Sequence, residues 1–68
     1  MRVRDLHGFI SDDSCVNVLI LNDDDSIKDQ LFFKKFTDAF SILDKYSNNF
    51  VDLDFKRGIE IRIRQIHI

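Results

Sequence analysis

The sequence predicts an α+β fold of order β-β-α-β-β: a small antiparallel sheet of two hairpins packed on one long amphipathic helix. Three patterns predict it. Apolar and charged residues alternate from Val51 to Arg64, apolar residues recur at helical spacing from Ile27 to Tyr46, and "CVNVLIL" from Cys15 to Leu21 is apolar at both parities except Asn17. With 68 residues the chain is expected to form a single small domain, 1–68. A domain of that size buries only about 60% of the surface its unfolded chain exposes. An apolar fraction of 44%, with seven phenylalanines, is enough to fold it.

The first hairpin is expected over about 3–21, with Val3 to Ile10 and Cys15 to Leu21 as strands around the turn Ser11-Asp12-Asp13-Ser14. A strand apolar on both parities suits an inner position covered on both faces. One helix covers one face, so a second copy of the chain is the economical cover for the other.

The helix is expected over about 27–47. Apolar residues fall at 27, 31, 32, 33, 36, 39, 40, 42, 43 and 46 and polar ones at 30, 34, 37, 38, 41, 45 and 48, giving a wide apolar face with a polar stripe opposite. Ser26 with Asp29 has the Ser-x-x-Asp form of a capping box, and Asn48-Asn49 supplies the stop. A competing reading makes residues 27–35 a strand, with Thr37-Asp38 capping a shorter helix. The long helix is preferred because Lys34-Lys35 breaks strand alternation.

The second hairpin, about 50–68, has the clearest pattern. A three-residue loop, Lys56-Arg57-Gly58 with a left-handed glycine, pairs Phe55 with Ile59, Leu53 with Ile61 and Val51 with Ile63 on one face and Asp52 with Arg62 on the other. A two-residue loop destroys the apolar face, so the hydrophobic pattern selects the register. Asp54 opposite Glu60 is the one discordant pair. Beyond the hairpin, residues 65–68 have no strand left to pair with in the chain and are expected to pair with another chain.

Little in the sequence speaks for catalysis. No nucleophile elbow or phosphate-cradling glycine loop is present. Cys15 and His7 face one another loosely across the expected first hairpin, but a lone cysteine beside an apolar run reads as a small buried hydrophobe. A single cysteine also excludes a disulfide, and Cys15, His7 and His67 lack zinc-ligand spacing, which leaves self-association as the stabilising device. The expectation is therefore a non-enzymatic chain without metal or cofactor. With no apolar run of about 20 residues and no signal-peptide core, the expected location is the cytoplasm, away from membranes.

Charge organises the remaining candidates. The net charge is −2, yet residues 5–25 hold six aspartates and no lysine or arginine, while residues 56–64 hold four basic residues and one glutamate. Asp12, Asp13, Asp23, Asp24 and Asp25 form acidic turns able to meet a basic protein surface. The run Asp23 to Asp25 also suits the positive end of the expected helix, and its spacing lacks the alternation of a calcium loop. Lys56, Arg57, Arg62 and Arg64 form the alternative surface, a phosphate track for nucleic acid, though Asp52 opposes Arg62. The function expected is thus a protein-interaction module, a small inhibitor or adaptor docking on a larger protein through its acidic loops or a sheet edge and associating as a homodimer. A nucleic-acid-binding accessory protein stands second.

Overall fold

The structure, a computed structural model, describes residues 1–65. Its chain order is a 3-10 helix at Val3–Gly8, strand β1 at Val16–Leu21, strand β2 at Ile27–Phe33, a 3-10 turn at Phe36–Ala39 running into helix α1 at Phe40–Lys45, strand β3 at Val51–Asp54 and strand β4 at Ile59–Ile63. The four strands form one mixed sheet in the order β2-β1-β4-β3. β1 is antiparallel to β2 and parallel to β4, and β3 is antiparallel to β4.

Two features of the expected architecture are overturned. The long helix over 27–47 is absent, and its first third is β2. A helix of that length runs for about 31 Å, close to the whole 33 Å length of the molecule, whose other dimensions are 21 and 19 Å. It leaves β1 unpaired on one side, whereas β2 gives β1 a second ladder of backbone hydrogen bonds. Lys34-Lys35, which argued against a strand, stands just beyond its end. The competing reading of a strand followed by a shorter helix describes this region better. The helical pattern survives only from Phe36 on, where Phe36, Ala39 and Leu43 are buried.

The expected first hairpin over 3–21 is also absent, since its first arm is the 3-10 helix. Val3, Leu6 and Ile10, spaced three and four apart, all enter the core. The sheet is therefore mixed rather than antiparallel: the hairpins are β1–β2 and β3–β4, and they join through a parallel pairing of β1 with β4, set up by the crossover through β2, α1 and β3.

The second hairpin has the expected register over its strands: Val51 pairs with Ile63, Asp52 with Arg62, Leu53 with Ile61 and Asp54 with Glu60, but β3 ends at Asp54 and the expected Phe55–Ile59 pair is not part of the ladder. Gly58 has φ of 91°. β1 is an inner strand, as its apolar run predicts. Val16, Val18 and Ile20 join Ile61, Ile63, Leu6 and Phe36 in the core beneath the helical segments. Leu19 and Leu21, 6% and 7% exposed, lie outside that cluster. In register Leu19 stands between Gln30 and Arg62, and the Arg62 side chain, which lines one depression with Leu19 and Leu21, can lay its apolar stem along such a surface while its head stays in water. Both parities of β1 are thus buried within one chain, and a second copy is not needed to cover this outer face. The pairing expected for residues 65–68 falls, for 66–68, outside the described residues; Gln65 itself donates from Nε2 to the Leu21 carbonyl at 3.0 Å.

Candidate interaction surface

The acidic run Asp23-Asp24-Asp25 is the loop of the β1–β2 hairpin rather than a helix entrance. Asn22 N–H donates to the Ser26 carbonyl at 2.7 Å, and Asp25 N–H donates to the Asn22 carbonyl at 3.0 Å. Asp25 has φ of 68°, the left-handed geometry that closes a three-residue hairpin loop. Asp24 Oδ1 accepts from the Ser26 backbone N–H at 3.0 Å and from the Ser26 hydroxyl. The hydroxyl and then the N–H hold its carboxyl below the ordinary aspartate range. Ser26, expected as the cap of a long helix, instead fastens this loop, and Asn22 Nδ2 donates to its hydroxyl at 3.0 Å.

The second acidic turn is far from the first. Asp12 and Asp13 precede β1 and Asp23 to Asp25 follow it, so the length of β1, about 20 Å for six extended residues, separates them. The Asp12 carbonyl accepts from Thr37 N–H at 3.3 Å. The two acidic turns offered as docking loops therefore stand at opposite ends of β1. Among the described residues no group of three or more His, Cys, Asp or Glu side chains is gathered as a metal site.

The basic residues are better organised, but as partners of carboxylates. On the outer face Arg62 Nε lies 2.8 Å from Glu60 Oε1, and its guanidinium reaches Asp54 at 3.9 Å. Arg64 Nε lies 2.6 Å from Asp52. The expected Asp52–Arg62 pair is correct in backbone register, yet each arginine bonds away from its direct opposite. Arg62 thereby resolves the discordant Asp54–Glu60 pair. Hydrogen bonding to Glu60, and then its charge, raise the Arg62 pKa above its ordinary value. Lys56 and Arg57 lie at the hairpin tip beside Phe55, which is 60% exposed although its parity predicts core. Cys15 is exposed rather than buried. The His7 ring is taken up by Phe40, 4.6 Å away and edge-on, and by Phe36 at 6.1 Å.

The two edges of the sheet are unequal. The β3 edge is short, and the N-terminal residues close its start: Val51 N–H donates to the Met1 carbonyl at 3.1 Å, and Arg2 forms an isolated bridge with Phe50. Arg2 also stacks over the Phe50 ring at 4.5 Å and donates to the Asn48 carbonyl. The β2 edge has no such cover. It runs for seven residues, it is the outermost strand, and no described segment pairs with its outer side. Ile27 is 56% exposed and Phe32 60% exposed along it. Ile27 also shares a depression of about 350 Å³ on the outer face with Leu19, Leu21, Asp25 and the ion-paired Arg62 and Arg64.

This edge was hidden from the sequence by assigning residues 27–36 to a helix. The signal present was the density of β-favouring residues from Leu31 to Phe36, followed by the Thr37-Asp38 start. No family model, curated protein or solved structure matches the chain. Among the described residues no helix is long and apolar enough to cross a membrane.

Proposed function

We propose that the chain is a non-enzymatic protein-interaction module that docks through the β2 edge, accepting an extended segment of a partner protein as a fifth strand. The supporting observation is the open outer side of β2 in a sheet whose opposite edge is closed by Met1 and Arg2. An edge of unpaired N–H and C=O groups is a template for a further strand. Backbone hydrogen bonds then supply affinity, and alternate side chains supply selectivity. Lys28, at the bulge, and Asp29 place opposite charges near the start of this edge and Phe32 places an aromatic ring near its end, so the added strand meets both a polar and an apolar position.

The nucleic-acid reading has weaker support, because Arg62 and Arg64 already bond Glu60, Asp54 and Asp52 and a phosphate would have to displace those carboxylates. Strand addition is tested with a displayed library of extended peptides, followed by backbone amide mapping of the bound chain by NMR. Shifts centred on Ile27 to Phe33 are expected. Selected peptides that instead perturb the Asp12-Asp13 turn or the Lys56-Arg57 tip overturn the edge as the docking surface.

A further inference from the structure

We infer that the partner strand runs antiparallel to Asp29–Phe33 and is ordered, from its N-terminus, as an acidic residue, three apolar residues, a spacer and a basic residue. The inference rests on strand addition at β2 and names the chemistry of the strand that adds. The usable edge is shorter than β2. Leu21 pairs with Ile27 and Ile20 with Asp29, so Lys28 is the extra residue of a bulge, and regular pairing is interrupted there. Asp29 to Phe33 follow in unbroken register with Ile20 to Val16.

The hairpin's own hydrogen bonds decide which backbone groups of this stretch are open. Asn22 N–H donates to the Ser26 carbonyl, and bonded and non-bonded pairs alternate along an antiparallel ladder. Counted from that pair, with Lys28 and Asp29 together opposite Ile20, the backbone groups of Asp29, Leu31 and Phe33 face β1. Those of Gln30 and Phe32 face outward. The same alternation turns the Leu21 carbonyl away from β2, and that carbonyl accepts from Gln65 instead. Two N–H and two C=O groups, on Gln30 and Phe32, are therefore presented to one added strand.

The side chains of the edge give the order of the partner. Leu31 and Phe33 are half-buried against the core, and Phe32 on the outer face is 60% exposed, so residues opposite all three meet apolar surface. Asp29 at one end and Lys34 at the other are exposed, and among the described residues neither is in an ion pair. The Asp23–Asp25 loop lies at the Asp29 end and Lys35 follows Lys34, which strengthens the same polarity. Unlike charges directly opposite favour a strand pair and like charges oppose it. A basic side chain therefore belongs opposite Asp29 and an acidic one opposite Lys34. Antiparallel pairing, the more stable arrangement per residue, makes the acidic residue the first of the segment and the basic residue the last.

Two capped peptides test this, Glu-Val-Ile-Val-Thr-Lys and its charge-reversed form Lys-Val-Ile-Val-Thr-Glu, titrated into the isotope-labelled chain and followed by its amide shifts. The same titrations are made on a chain carrying Asp29→Lys, Lys34→Glu and Lys35→Glu together, all at exposed positions, with circular dichroism confirming the fold. The wild type is expected to bind the first peptide about tenfold more tightly than the second, the effect of two cross-strand charge pairs. The substituted chain is expected to reverse that preference. A nitroxide on the first residue of the first peptide is expected to broaden the amides of Lys34 and Lys35 and to spare that of Asp29. Broadening at Asp29 instead overturns the antiparallel order. Equal affinity for the two peptides, with shifts confined to Asp29–Phe33, overturns the charge order and leaves the edge as the docking surface. Binding of neither peptide also overturns the inference, while the library selection above still decides strand addition. Shifts of Asp29–Phe33 that grow with protein concentration in the absence of peptide make a second copy the occupant and overturn it too. Shifts centred away from β2 overturn both the order and the edge reading.

Discussion

Asp25 and Gly58 hold corresponding places in the two hairpin loops: each is the last of three loop residues and each has positive φ, 68° and 91°. Glycine reaches this conformation without a Cβ penalty, whereas an L side chain there costs roughly 1–2 kcal/mol, less for aspartate than for most. Space is not the obstacle at Gly58, since a Cβ added there meets nothing within 4 Å. Gly58→Ala is therefore expected to destabilise the fold by about 1 kcal/mol through backbone strain alone. Asp25→Gly is expected to stabilise by about 0.5 kcal/mol, the relief of strain being partly offset by the entropy of the unfolded glycine. Urea denaturation of both variants measures this, and opposite signs are the result expected. Equal signs would show that the two loops do not share one design. The glycine was legible in the sequence because the alternation on either side of it admits one loop length. The aspartate was not, because three consecutive aspartates before a serine fit a helix entrance as well as a hairpin loop.

The N-terminal 3-10 helix shows how an element can be misread from composition and recovered from spacing. Val3 to Ile10 contains the turn-to-turn distances of a helix, and treating it as a strand places Val3 and Leu6 on opposite faces. In the structure both are buried, and Arg4 and Arg2 tether the segment by bonds to Asn48. The short element therefore walls the core, while Met1 and Arg2 just before it cover the start of β3. Leu6 is fully buried, and Leu6→Ala is expected to cost about 3 kcal/mol, as the lost transfer energy and the cavity left behind add together. Chemical denaturation measures the loss. A cost below about 1 kcal/mol would mean that the segment is peripheral rather than part of the core. The C-terminal hairpin, by contrast, was legible except at its tip, where Phe55 is exposed, because its pairing is local and one face is apolar at every second position. The partnership of β1 with β4 was not legible: it joins residues about forty positions apart, and an apolar strand pairs equally well with either neighbour until the whole sheet is assembled.

The sheet order places the two strands most remote in sequence at the centre of the molecule. β1 is hydrogen-bonded on one side to β2 and on the other to β4, and β4 is hydrogen-bonded to β1 and β3. β2 and β3 each have one strand neighbour, and α1 is only six residues long. A chain of this size is expected to unfold in one cooperative step, so amides that exchange only through that step report its full free energy, while edge and terminal amides open locally. Hydrogen exchange measured on the dilute chain is thus expected to be slowest at Val18 and Ile20 of β1 and Ile61 and Ile63 of β4. It is expected to be faster in β3 and α1 and fastest among the outward amides of β2. Because the slowest set is shared between two strands that no hairpin joins, removing a methylene from either should lower protection in both, and Ile61→Val is the mild probe of this. If the slowest amides instead lie within β3 and β4 alone, the C-terminal hairpin is the stable unit and β1 is an addition to it. If they fall as expected, the central parallel pair holds the sheet together, and the β2 edge remains the place where the molecule can accept a further strand.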